Sequence, residues 1–259
     1  MHPVLFQFGG FSVHTYGFFI ALGVLSGLFL ARHEARRMDL DPDKVVDACF
    51  YIVVAAIVGS RVFYVLTNLD TFMAVPLDAF KIWEGGLVFY GGLIGALAMF
   101  IVYLKISRLP LGKMADIGAV CVPLGHTLGR MGCFFAGCCY GKVCHQPWAI
   151  TFRNPESLAP LYVSLHPTQL YSSASNFCIF LLIFSLRRYK QYDGQLFWIY
   201  LAVYGITRSM IEFFRGDFRG AMFWNTFSIS QVIGISSAFF AIVMLIVLGR
   251  KHFLSEKNG

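Results

Sequence analysis

The sequence predicts an all-α, polytopic integral membrane protein of about seven transmembrane helices, and three observations carry that class. Charged residues make up 14% of the 259 residues and hydrophobic ones 57%, whereas soluble domains carry about 25% charge. So few charges cannot clothe a water-facing surface, and so apolar a chain is not disordered. Seven runs are apolar over spanning length or close to it, and at ~20 residues per span they use about 140 residues. The Lys and Arg residues cluster on alternate loops, as orientation by positive charge requires. The net charge of +7 is read as that topological signal, and no nucleic-acid partner is expected.

The first run, about 16–32, follows His14-Thr15-Tyr16-Gly17. His and Tyr suit the headgroup level as anchors, or act on a substrate there. No basic n-region or small-residue cleavage site precedes the run, so it is expected to be a retained helix. The second, 45–67, contains Arg61. The third, 87–106, opens with Gly91, Gly92 and Gly95, small residues that let membrane helices approach closely. The fourth, 114–128, is the shortest and holds Asp116 and His126. The fifth, 170–186, follows His166-Pro167-Thr168-Gln169-Leu170-Tyr171, where His166 is a turn residue or a proton carrier. The sixth, 194–213, holds Arg208 and Glu212, and the seventh is 228–249. The whole chain, 1–259, reads as one membrane domain with a long extracytoplasmic loop segment at 129–169.

Most of the 21 Lys and Arg residues fall after odd-numbered runs, as at Arg36, Arg37, Arg187 and Arg188. Fewer lie on the other side: Lys81, Arg130, Lys142, Arg153, Arg215 and Arg219. The positive-inside rule then sets the N-terminus outside and the C-terminus in the cytoplasm.

An ionisable residue at membrane depth is a functional candidate by default, because its burial in lipid is costly. Arg208, Glu212 and Arg215 share one helix face at i, i+4 and i+7. Either Glu212 neutralises an arginine in a structural pair, or a surplus arginine receives an outside anion. A phosphate suits a guanidinium fork best. The segment Gly129-Arg130-Met131-Gly132-Cys133-Phe134-Phe135-Ala136-Gly137-Cys138-Cys139-Tyr140-Gly141 reads as a loop. Its glycines let backbone N–H groups near an anion, with Arg130 as countercharge, unless it is only a small-residue turn.

Cys133, Cys138, Cys139 and Cys144 fall within twelve positions. Their C-x4-C-C-x4-C spacing is not a usual zinc pattern. On an oxidising face one or two disulfides are the plain reading, with packing, metal binding or a thiol role as the alternatives. No metal or cofactor is expected.

Taken in order, His14 to Gly17, Gly59-Ser60-Arg61, Trp83-Glu84-Gly85-Gly86, Gly91-Gly92-Leu93-Ile94-Gly95, Gly129-Arg130-Met131-Gly132, His166 to Tyr171 and Arg208 through Glu212 to Arg215 resemble the bacterial prolipoprotein diacylglyceryl transferases. The resemblance covers about residues 14–217. It implies a multi-pass enzyme of the bacterial cytoplasmic (inner) membrane with its site toward the outer side. Such an enzyme moves the diacylglyceryl group of phosphatidylglycerol to the lipobox cysteine thiol of a preprolipoprotein, giving a thioether and glycerol phosphate. By the same resemblance Arg130 and Arg208 bind phosphate and Glu212 orients Arg208. Tyr16 hydrogen-bonds the headgroup, His166 lies near substrate, and Arg61 supports the polar cavity. His14, Gly129, Gly132, Arg215 and Cys133 join the substrate-binding set. The family pattern usually has Asn at Cys133, often Glu at Cys138, and often His at Tyr90, the position expected to activate the thiol. Tyrosine, with a pKa near 10, is a poor base near neutral pH. The other readings are a divergent paralogue with another acceptor, an anion or solute carrier, and a membrane redox protein. No paired broken spans favour a carrier, and no Cys-x-x-Cys favours redox chemistry.

Overall fold

The computed structural model describes residues 2–8, 11–82, 85–217, 222–223 and 227–258. Trp83 and Glu84 of the third motif, and Arg219 of the charge pattern, lie outside the described residues. The chain divides into two compact units, one of residues 1–30 with 115–259 and one of residues 31–114.

A long helix lies over each of the seven apolar runs. These are α1 (Thr15–Arg37), α2 (Pro42–Thr67), α4 (Phe89–Ser107), α5 (Leu111–Ala136), α6 (Thr168–Leu186), α7 (Gln195–Glu212) and α8 (Ile229–Asn258), with a short α3 (Leu69–Ala74). Among the described residues five helices are long and apolar enough to cross a membrane: α1, α2, α4, α6 and α8. Their outer faces expose side chains such as Phe29, Phe89, Ile106 and Phe239, a surface that suits lipid and not water. The two helices outside that class, α5 and α7, carry Arg130 and Arg208 with Glu212.

In the smaller unit, α2 starts where the Asp41 carboxylate accepts from the N–H groups of Asp43 (3.0 Å) and Lys44 (3.4 Å), with Pro42 in the first turn. That is an N-cap with proline where its missing N–H does no harm. Helices α2 and α4 meet backbone to backbone. A Cβ on Gly59 would stand 2.5 Å from the Gly91 carbonyl, and one on Gly95 2.5 Å from that of Ala55. The glycine motifs at 59 and 91–95 are therefore a helix seam.

In the larger unit, strands β1 (Val4–Phe8) and β2 (Phe11–His14) form a hairpin that leads into α1. The core joins Ala119 and Val120 of α5, Ile179 and Ile183 of α6, and Leu196 of α7. The fully buried Asp116 caps α7, accepting from the N–H groups of Gly194 (2.9 Å) and Phe197 (3.2 Å) and from Lys190 Nζ (3.0 Å). This explains a charge in the fourth apolar run. The segment after α5 is itself packed. β3 (Ile150–Thr151) pairs with β4 (Ser164–Leu165), and Phe152, Ala159 and Leu165 form a small core beneath them. Two further short strands, β5 (Met222–Phe223) and β6 (Phe227–Ser228), pair before α8.

Candidate active site

In the larger unit a cleft is lined by Arg130 of α5, Ser172, Ser175 and Asn176 of α6, and Tyr204, Thr207, Arg208 and Ile211 of α7. Three helices thus bring two arginines to one place. α5 carries Pro123 in its interior, whose carbonyl accepts from Thr127 Oγ1 (2.8 Å). Ser173 Oγ donates to the Thr127 carbonyl (3.0 Å) and docks α6 beside it.

The arginines differ in their partners. Arg208 is ion-paired with Glu212, one turn on. Arg215 lies 3.9 Å from the same carboxylate and makes a two-point pair with Asp217, at 2.9 and 2.8 Å. Burial alone would lower the Arg215 pKa, but Asp217 and the nearby Cys139 thiol raise it above the ordinary value. Arg130 has no hydrogen bond or ion pair among the described residues. Among the described residues Arg208 and Arg215 thus take the two carboxylates, and Arg130, half-buried in the cleft, takes neither. Asn176 Oδ1, buried in the same lining, is an acceptor without a protein partner among the described residues. The cleft measures about 10 Å³, room for about one water.

The expectation that 129–136 is a loop is corrected, because α5 continues to Ala136. The N–H groups of Gly129 and Gly132 belong to the helix ladder and are not free for an anion. Their role is close packing on α1. A Cβ on Gly132 would stand 3.2 Å from the Tyr16 carbonyl, and one on Gly129 3.4 Å from Ile20 Cδ1. Tyr16 is thereby held beside α5. His14 is exposed at the end of β2 and does not line the cleft.

His166 sits on a small strand cluster that sequence reasoning missed. Gly141 N donates to the His166 carbonyl (3.0 Å), His166 N to that of Lys142 (2.9 Å), and Lys142 N to that of Phe214 (2.9 Å). A Cβ on Gly141 would stand 2.5 Å from the His166 carbonyl, and one on Gly216 2.5 Å from that of Gly141. Only glycines fit both places, and together they fix Arg215 at the rim. The His166 ring is held by Tyr171, with Nδ1 3.1 Å from its hydroxyl oxygen, and Trp148 Nε1 donates to that oxygen at 2.8 Å. Thr168 and Gln169 also went unassigned in the sequence. They donate to the Cys139 (2.7 Å) and Cys138 (2.9 Å) carbonyls.

No disulfide joins the seven cysteines, so the disulfide expectation gives way. Cys133, Cys138 and Cys139 come together with their sulfurs within 4.8 Å of one another, and Cys144 stands outside that group. Hydrogen bonds with the Cys133 and Cys138 thiols hold the Cys139 thiol below its usual pKa; burial opposes this and Arg215 adds to it.

Arg61 and Tyr90 belong to the smaller unit. Arg61 is buried and four of its five N–H donors are engaged. Nε donates to the Ala79 carbonyl (2.8 Å), Nη1 to those of Gly85 (2.7 Å) and Gly86 (3.3 Å), and Nη2 to that of Asp78 (2.6 Å). Tyr64 and Phe72 flank it, with ring centroids 5.4 and 5.5 Å away. With its donors so occupied, Arg61 clasps Asp78, Ala79, Gly85 and Gly86. Tyr90 is exposed in the first turn of α4, against Phe89.

The family profile described as prolipoprotein diacylglyceryl transferase matches residues 3–247. A phosphatidylglycerol–prolipoprotein diacylglyceryl transferase of Clostridium tetani is 32% identical over 256 residues, covering 99% of this chain and 100% of the relative. Proteins of the same name from Geobacter sulfurreducens and Bacillus velezensis are 32% and 33% identical, over 96% and 99% of this chain and 96% of each relative.

Proposed function

The chain belongs to the prolipoprotein diacylglyceryl transferase family, and on that premise we propose that it transfers the diacylglyceryl group of phosphatidylglycerol to the lipobox cysteine thiol of a prolipoprotein. The thiol loses its proton, and its sulfur bonds to the glycerol carbon that carried the phosphate. The carbon–oxygen bond breaks, and glycerol phosphate leaves. The phosphodiester carries one negative charge and the leaving monoester two, so the transition state gains charge at the phosphate. A preorganised cation at that point stabilises it more than the ground state.

Arg130 is that cation in our reading, and its lack of a protein partner is the observation that carries the proposal. Arg208, oriented by Glu212, faces it across the cleft. Tyr16 serves the headgroup from α1. The protein sits in the bacterial inner membrane with seven spans, its N-terminus and site toward the outer side. The basic residues at the C-terminal end of α1, Arg36 and Arg37, support that orientation. The test uses purified protein, phosphatidylglycerol and a lipobox peptide, with the adduct read by mass spectrometry. The parent protein is expected to modify a Cys peptide and not its Ser counterpart. Arg130→Ala and Arg208→Ala are each expected to abolish the adduct in inserted, folded protein. Near-normal transfer by both variants would remove the proposed site.

A further inference from the structure

We propose that Cys133, Cys138 and Cys139 form a three-thiolate site for a thiophilic divalent cation, Zn2+ foremost, whose remaining position takes the acceptor thiol. This rests on the transfer reading above. The geometry is that of a chelate. Zn–S bonds of about 2.3 Å at tetrahedral angles set sulfurs about 3.8 Å apart. The three sulfurs lie within 4.8 Å of one another, so shifts of about half an ångström each close the site. A disulfide would join two thiols and leave the third idle; here none is bonded.

The backbone is arranged to collect them. Cys133 lies in the last turns of α5, Gly137 turns the chain at φ 77°, and Cys139 holds φ 62°. The latter is a left-handed conformation that cysteine adopts at some energetic expense. The buried Thr168 and Gln169 side chains hold the Cys139 and Cys138 carbonyls. Three thiolates with a divalent cation carry one net negative charge. Arg215, beside the Cys139 thiol, supplies the balancing charge.

The site adjoins the cleft through named contacts. Arg215 acts electrostatically on Cys139 on one side and approaches Glu212 on the other, and Glu212 pairs with Arg208. Cys138 and Cys139 are half-buried and Cys133 is the most enclosed of the three, and three protein ligands leave the fourth tetrahedral position for an outside donor. A thiol that coordinates such a cation is deprotonated outright. Binding the three cysteines releases three protons to solvent. Binding the acceptor releases a fourth and leaves its sulfur as the thiolate that the transfer needs.

The test is a Co2+ titration of the reduced, chelator-treated full chain in detergent, with Zn2+ as competitor and no lipid present. One Co2+ per chain is expected, with the intense near-ultraviolet band of cobalt–thiolate bonding. Cys133→Ser, Cys138→Ser and Cys139→Ser should each weaken binding by more than about 100-fold, beyond what loss of an outer-shell partner does. Cys178→Ser should leave it unchanged. A Cys lipobox peptide should raise the band, and a Ser peptide should not. Failure of reduced, transfer-competent protein to bind Co2+ overturns the site and leaves the transfer reading standing. Bound Co2+ indifferent to the Cys peptide overturns the acceptor's place on it. Absence of transfer from protein that binds Co2+ as expected is a failure of the transfer reading alone.

Discussion

Arg61 and Arg130 are both arginines in helices of a membrane protein, yet their guanidinium groups have opposite fates. Arg61 is buried and gives four hydrogen bonds to carbonyls of residues 78–86. Arg130 has no hydrogen bond or ion pair among the described residues and lines a cleft with Arg208. A charge on a helix of a membrane protein draws attention in both cases. What separates function from architecture is whether the protein itself occupies the donors. Arg208 and Arg215 fall between the two, each ion-paired with a carboxylate, Glu212 and Asp217.

The sharpest way to break the comparison is to remove each guanidinium. Arg130→Ala should lower kcat/KM for peptide lipidation by about 100- to 1,000-fold, the usual effect of losing one charge-stabilising donor, with the melting temperature nearly unchanged. Arg61→Ala should do the reverse. It strips donors from carbonyls in segment 78–86 and should lower stability by about 2–4 kcal/mol, read by thermal or denaturant unfolding. The residual folded fraction should keep its KM for phosphatidylglycerol. A smaller effect sharpens the role of Glu212. Glu212→Gln keeps a hydrogen-bond acceptor for Arg208 but removes the charge, and should lower kcat/KM by about tenfold. Smallest is Tyr90→Phe. The ring is exposed, and transfer within about twofold of the parent is expected; a dead, folded variant would return Tyr90 to the catalytic set.

Much of the fold was legible in the sequence. Every apolar run became a helix, and the fourth was underestimated for a physical reason. Its polar residues diluted the hydropathy, although Asp116 is there to cap α7 from about 80 positions away in sequence. The helix also outran its expected end. Glycine's poor helix propensity suggested a loop at 129, but contact with α1 through Gly132 and Tyr16 overrides local preference. Of the site, the pairing of Arg208 with Glu212 could be read from i, i+4 spacing. The carbonyl partners of Arg61 could not, since a guanidinium seeking backbone oxygens leaves no pattern in side-chain identity. The meeting of three cysteines was hidden for a similar reason. It depends on a reversal at Gly137 and a left-handed Cys139, and the spacing C-x4-C-C matches no familiar ligand pattern. Gly141 and Gly216, which admit the strands behind His166 and Arg215, were visible only as glycines.

The most direct measurement of the central claim is steady-state lipidation of a lipobox peptide by Arg130→Ala and Arg130→Lys, with phosphatidylglycerol varied and folding checked by thermal melting. The expected result is a deep loss of kcat/KM in the alanine variant and partial recovery with lysine, which restores the charge without the two-point fork. An Arg130→Ala protein that melts like the parent and transfers within about threefold of its rate would contradict the claim that this unpaired guanidinium holds the phosphate.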